Sequence, residues 1–159
     1  MWRVAVIGVI VLLLFHGRDS RPPAVTERPV KVLLEGDTVA SRLVSESGTW
    51  EHVGVCAAAF ILDPSCPASA QLVETADEHR MKTMRWVIVG DRQNARAFQR
   101  RFGLPEEMTF LPQDGSSAVE MGMYATPVRI VLDEHQAVRQ LRVTASPVDD
   151  AALREICSE

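Results

Sequence analysis

Cysteine is scarce in this chain: three among 159 residues, at positions 56, 66 and 157. Thiols so few and so scattered cannot build a disulfide scaffold or supply the paired Cys/His spacings of a zinc site, so neither is expected. Nothing else in the sequence calls for a metal or a cofactor. Basic clusters are also missing. Lys and Arg number 17 against 21 Asp and Glu, for a formal net charge of -4, which leaves no electrostatic footprint for nucleic acid. Nucleic acid is therefore excluded as a partner, and proteins or small molecules are favoured. Repeats and low-complexity tracts are absent as well. The remaining chain is long enough for one domain with a hydrophobic core.

One long uncharged apolar run occurs, residues 4–15, directly after Arg3. A positive residue ahead of such a run is the pattern of an export signal or a signal anchor. Twelve residues of helix cover roughly 18 Å of a bilayer core about 30 Å thick, which suits a cleaved signal. Yet the stretch His16-Gly17-Arg18-Asp19-Ser20-Arg21-Pro22-Pro23 offers no small-x-small cleavage site. Adding Met1 and Trp2 at one interface, with Arg3 snorkelling and the span ending near Gly17, reaches a thin bilayer. Residues 1–17 are accordingly read as an uncleaved hydrophobic anchor helix, with a cleaved signal and secretion as the alternative. A buried core helix is disfavoured because the run is apolar on every side. Arg3 favours a cytoplasmic N-terminus, while Arg18 and Arg21 weigh against it. The reading is a single-pass cell-membrane protein whose domain lies outside the cytoplasm, in a periplasm. In such a setting an odd cysteine count leaves at least one thiol unpaired or bound to a partner.

Residues 18–29, rich in arginine and proline, read as an extended linker, and residues 30–159 as the domain. A short strand is predicted over 30–34, then a turn at Glu35-Gly36-Asp37. Leu43-Val44 and Glu46-Ser47-Gly48-Thr49 suggest a small strand and turn. Residues 53–62 are continuously apolar and stop at Asp63-Pro64, which favours a strand buried on both faces. Cys66-Pro67 then reads as a helix start, because proline at the first helical position loses no needed donor. That helix is expected from Pro67 toward Lys82. A strand over 84–91 and a helix over 94–102 ended by Gly103 follow. The order strand, helix, strand, helix implies a parallel βαβ unit. Beyond it, residues 108–111 read as a strand, 116–124 as a helix or helical turn, and 127–133 with 138–143 as an antiparallel pair across a turn at Glu134-His135-Gln136. A last helix, 151–157, opens on Asp149-Asp150, acidic residues at its positive end.

Two separated signals carry a resemblance: Cys66-Pro67-Ala68-Ser69 after a buried strand, and Ala125-Thr126-Pro127-Val128-Arg129-Ile130-Val131-Leu132-Asp133-Glu134-His135 some 60 residues later. Together with the element order they resemble the thioredoxin-like superfamily, most of all its membrane-tethered extracytoplasmic redoxins, such as those of cytochrome c maturation and methylamine utilisation. The likeness spans about residues 30–157. It implies an α/β fold with a central mixed β-sheet flanked by helices, here preceded by the N-terminal hydrophobic helix. It also implies a cis bond between Thr126 and Pro127, and a docking surface for substrate formed by Pro67, Thr126 and Pro127.

The chemistry can be argued from the residues themselves. A thiol at a helix N-terminus faces unsatisfied N–H groups and the positive end of the dipole, so its thiolate is favoured. Cys66 is the expected nucleophile, and Ser69 the expected hydrogen-bond donor to its thiolate. Asp63 would oppose the thiolate if its carboxylate faced the sulfur. The dithiol members resemble Cys-x-x-Cys, whereas Ser69 stands at the second position here and cannot close a disulfide. Peroxidase chemistry of the peroxiredoxin kind asks for threonine three residues before the cysteine, and Asp63 occupies that place. Cys56 should lie some 20 Å from the end of its strand at about 3.3 Å per residue, far beyond the roughly 7 Å between Cα atoms that a disulfide allows. It is expected to be a buried packing residue. Cys157, on a helix of unknown docking, is kept as an alternative partner for Cys66.

His52, His79 and His135 have no positioned partner in sequence and read as solvated or structural, and Trp50 and Trp86 as core. Two functions follow. One is thiol–disulfide exchange through a single cysteine, forming a mixed disulfide with an extracytoplasmic protein or a small thiol. The alternative is a redox-inactive binding or assembly module, tethered to the membrane and holding a partner along the Thr126-Pro127 edge.

Overall fold

The computed structural model describes residues 32–50, 56–144, 146–147 and 149–158. The anchor and linker expected from the sequence lie outside these residues, as do His52 and the first residues of the strands predicted at 30–34 and 53–62.

The fold is organised by the strand β3, Ala57–Leu62, whose six residues are all buried. Its alternation feeds two cores. Ala57, Ala59 and Ile61 join Trp50, Phe110 and Ile130 on one face, while Phe60 and Leu62 join Leu72, Trp86, Ile88 and Phe98 on the other. Each fully buried side chain of this size contributes about 1.5–3 kcal/mol. The alanines have a packing reason: Ala57 and Ala59 stand opposite Leu132 and Ile130 of the antiparallel neighbour β6, Val128–Leu132, so small faces large across the pair. On the other side β3 runs parallel to β4, Arg85–Ile88, and β4 parallel to β5, Thr109–Pro112. The hairpin β1, Leu43–Ser45, and β2, Gly48–Thr49, extends the β5 edge, and β7, Val138–Arg142, extends the β6 edge. The sheet order is β2-β1-β5-β4-β3-β6-β7. The expected parallel unit and terminal antiparallel hairpin are both present.

Three expectations need correction. Residues 32–34 pair in no strand: Val32 and Leu34 are exposed, Leu33 alone turns inward, and its N–H donates to the Gly122 carbonyl. The long helix predicted from Pro67 toward Lys82 is two helices, α1, Pro67–Glu74, and α2, Glu78–Thr83. The break has a local cause. The Thr75 hydroxyl donates back to the Gln71 and Leu72 carbonyls, and Asp77 caps a fresh N-terminus by accepting the Arg80 N–H. The third correction concerns Cys56. It is half-buried just before β3 and bonded to Cys157, with Cα atoms 5.7 Å apart and the two cysteines 101 positions apart in sequence. The strand-length argument asked whether Cys56 could reach Cys66, and it cannot. Nothing in the sequence said that the last helix, α4, Asp150–Ser158, docks at the opposite end of that strand.

The helix α3, Arg92–Phe102, shows local signals and structure in agreement. Asp91 accepts the N–H groups of Gln93 and Asn94, and Gly103 ends the helix in the left-handed region at φ 64°. Segment 116–124 is a set of turns closed by Gly122. Asp91→Ala is expected to cost about 1 kcal/mol through its lost cap. Gly103→Ala should cost about 1–2 kcal/mol of conformational energy alone, because an added Cβ meets nothing within 4 Å. Urea unfolding checks both: the midpoint should fall with an unchanged slope.

Candidate functional site

The end of β3 and the start of α1 place the thiol. Asp63 leaves the strand and Pro64-Ser65 turn the chain. Cys66 then caps α1 in extended backbone, with Pro67 at the first helical position. The turn is closed from within: the Cys66 N–H donates to the Asp63 carbonyl at 3.0 Å, and the Asp63 N–H donates to Ser69 Oγ at 3.1 Å. Ser69 is fully buried, so this polar pairing sits where an unmade bond would be expensive. The Asp63 carboxylate does not take up the opposing role that its position allowed. Its Oδ1 accepts both the N–H and the hydroxyl of Ser65, at 2.8 and 2.6 Å.

Cys66 is the free thiol of the protein, half-buried and open to solvent on one side. Across from it, Thr126 precedes Pro127 through a cis peptide bond at the start of β6. The thiol donates to the Thr126 carbonyl, with sulfur and oxygen 3.2 Å apart. Its pKa is held below that of an ordinary thiol. The Thr126 hydroxyl is the main cause. Burial works against it, and the Ser69 and Ala68 N–H groups and the Ser69 hydroxyl add to the lowering. The bond to the Thr126 carbonyl favours the protonated form, since it needs the S–H proton. The net effect is a thiol that ionises more readily than an ordinary one.

Of the residues anticipated from the sequence, Cys66, Ser69, Thr126 and Pro127 converge at this point. Pro67 is exposed and starts the helix, and it does not line the groove described next. A groove of about 520 Å³ runs beside the thiol, with Ala68, Gln71 and Thr75 of the α1 side facing Thr126, Pro127 and Val143. None of the groove's lining residues is charged. Gln71, Thr75 and Val143 carried no motif. The one available signal was Val143, an apolar residue at the end of a predicted strand, 69% exposed here. A second cleft, about 510 Å³, lies on the other side of the turn, between Asp63-Pro64-Ser65 and Gly90-Asp91. His79 and His135 are exposed, and Trp50 and Trp86 are buried core, as expected. Among the described residues no group of His, Cys, Asp and Glu is arranged to hold a metal ion.

No family model matches the chain, and no curated protein sequence matches it. Solved structures do resemble it. A domain of a possible thiol-disulfide isomerase from Cytophaga hutchinsonii is 17% identical with a TM-score of 0.51, over 80% of this chain and 96% of that one. The thio-disulfide isomerase from Thermus thermophilus is 14% identical with a TM-score of 0.48, over 77% and 94%, and StoA from Bacillus subtilis 13% identical with 0.47, over 72% and 93%. The likeness to the first establishes that the fold is thioredoxin-like.

The lowered thiol pKa has a direct consequence. Alkylation of Cys66 should reach half its plateau rate at a lower pH than a free thiol does, whose pKa is about 8.5. Thr126→Val should move the profile upward more than Ser69→Ala, since the Thr126 hydroxyl is the largest influence. Thiolate absorbance against pH measures both. A depressed folded pKa also stabilises the fold. That contribution is fully present above the unfolded thiol pKa and is lost as pH falls through the Cys66 value.

Proposed function

We propose that the protein carries out thiol–disulfide exchange through Cys66 alone. The observation that carries this reading is the accessible, acidified thiol at the N-terminus of α1, facing the Thr126 backbone beside an uncharged groove. An extended peptide lying in the groove would meet neutral polar side chains and the apolar surfaces of Pro127 and Val143, with its disulfide brought to the sulfur.

The Cys66 thiolate attacks one sulfur of the partner's disulfide. A bond forms from Cys66 Sγ to that sulfur, the partner's S–S bond breaks, and the departing sulfur leaves with the electron pair as a thiolate. A protein or small thiol serves as partner in the same way once oxidised. Ser69 has no thiol with which to displace the bound partner. Cys157 cannot do so either, because it is already bonded to Cys56 at the far end of a strand roughly 20 Å long. Release therefore needs a thiol other than those of this chain's site: the partner's departed thiolate, whose return re-forms the original disulfide, a third cysteine of the partner, whose attack leaves the disulfide isomerised, or an external dithiol, which carries the disulfide away and leaves the partner reduced.

We place this activity outside the cytoplasm, with the domain tethered by residues 1–17. The charge-free apolar run after Arg3 supports the anchor. The Cys56–Cys157 disulfide supports the oxidising compartment, since such bonds are rare in the cytosol. Fractionation of cells expressing the full chain tests the placement: it should sediment with membranes and be cut by protease added to spheroplasts.

The exchange is tested with an excess of a single-cysteine peptide oxidised to its intermolecular disulfide, so that the departing thiol is not held within the adduct. The wild-type protein should accumulate a one-to-one mixed disulfide that persists until an external thiol is added, and Cys66→Ser should form none. Ser69→Cys should release the peptide unaided, because its second thiol, one helical turn from Cys66, can displace it. Capture of a partner unaffected by Cys66→Ser would instead make the domain a redox-inactive binding module.

A further inference from the structure

The Cys56–Cys157 disulfide plays no part in the chemistry proposed for Cys66, yet it has a distinctive structural setting. The helix that it holds, α4, has no buried residue. Ala152, Leu153, Ile156 and Cys157 turn one half-buried face to the sheet. Among the described residues, α4 makes no hydrogen bond and no ion pair to any other element; its Asp149 cap and the Ser158 hydroxyl bond stay within the helix and its own start. Nine residues of helix are too few to persist alone in water, where even sequences of about 12–15 are marginal. Four half-buried side chains give little to add to that.

We propose that Cys56–Cys157 is a redox-operated clasp: while oxidised it keeps α4 folded on the β3/β7 end of the sheet, and its reduction releases α4 while the rest of the domain stays folded. Both cysteines are half-buried rather than enclosed in the core, and the proposed clasp is opened by a dithiol reductant that reaches their bond in the folded protein. One thiolate of the reductant attacks a sulfur of the pair, and the other cysteine leaves as a thiolate. The reductant's second thiol then displaces the first cysteine, closing its own disulfide. Two electrons and two protons have passed to Cys56 and Cys157. Release of α4 withdraws Ile156, which walls a cleft of about 370 Å³ over Ala137 and Val138, and opens that end of the sheet, remote from Cys66. The chain would thus hold two independent sulfur elements, one reacting and one restraining.

The test uses the Cys66→Ser protein, so that the clasp is the one redox-active element and the outcome does not depend on the exchange reading. Amide hydrogen exchange is compared for the oxidised protein, the protein treated with dithiothreitol, and Cys66→Ser/Cys157→Ser. Exchange at residues 150–158 is expected to rise about tenfold or more in the two open states. Residues 57–62, 85–88 and 128–132 should keep their protection, and reoxidation should restore that of α4. Three results would overturn the proposal: α4 equally protected with the clasp open, strands β3, β4 and β6 losing protection along with it, or a disulfide that dithiothreitol reduces only in denaturant.

Discussion

A strand buried on both faces has no solvated side on which to place chemistry, so whatever it presents must emerge at its ends. β3 is such a strand, with all six residues inside. At its C-terminal end the chain leaves the core through Asp63-Pro64-Ser65 and delivers Cys66 to the start of α1. At its N-terminal end Cys56 joins Cys157. The length of the strand therefore separates the two sulfur sites and keeps the terminal cysteine away from Cys66. The same strand, flanked by β4 on one side and β6 on the other, sets Thr126 opposite the thiol.

The electrostatics of the thiol are decided at a finer scale. A helix N-terminus supplies N–H donors, but the Thr126 hydroxyl, contributed by a segment 60 residues away, has the greater influence on the Cys66 pKa. Ser69 has two tasks at once. Its oxygen accepts the Asp63 N–H and closes the turn, and its own hydroxyl proton is left for the sulfur. A serine at this place thus does more than replace a missing cysteine: it is part of what holds the thiol in position. Asp63 also has a structural use, binding Ser65 with its carboxylate, and its charge is not among the influences on the Cys66 thiol.

Much of this was legible before any coordinates. The apolar run ending at Asp63-Pro64, the Cys66-Pro67 helix start, the Gly103 stop and the paired strands around Glu134-His135 are local signals, and local signals act through backbone sterics, capping and period-two burial that neighbours in sequence control. The same local logic misjudged residues 32–34, where alternation found no partner strand, and the α1–α2 break, where a threonine hydroxyl competed with the helix backbone. By itself the sequence determined the parallel unit, the closing hairpin, the helix start at Cys66 and the lack of a second thiol between Cys66 and Ser69. Tertiary structure alone decided the pairing of Cys56 with Cys157, the orientation of Asp63, and the groove between α1 and Val143. Those depend on which surfaces meet across long sequence separations, and such meetings are set by the summed packing of the whole sheet rather than by any short stretch of residues.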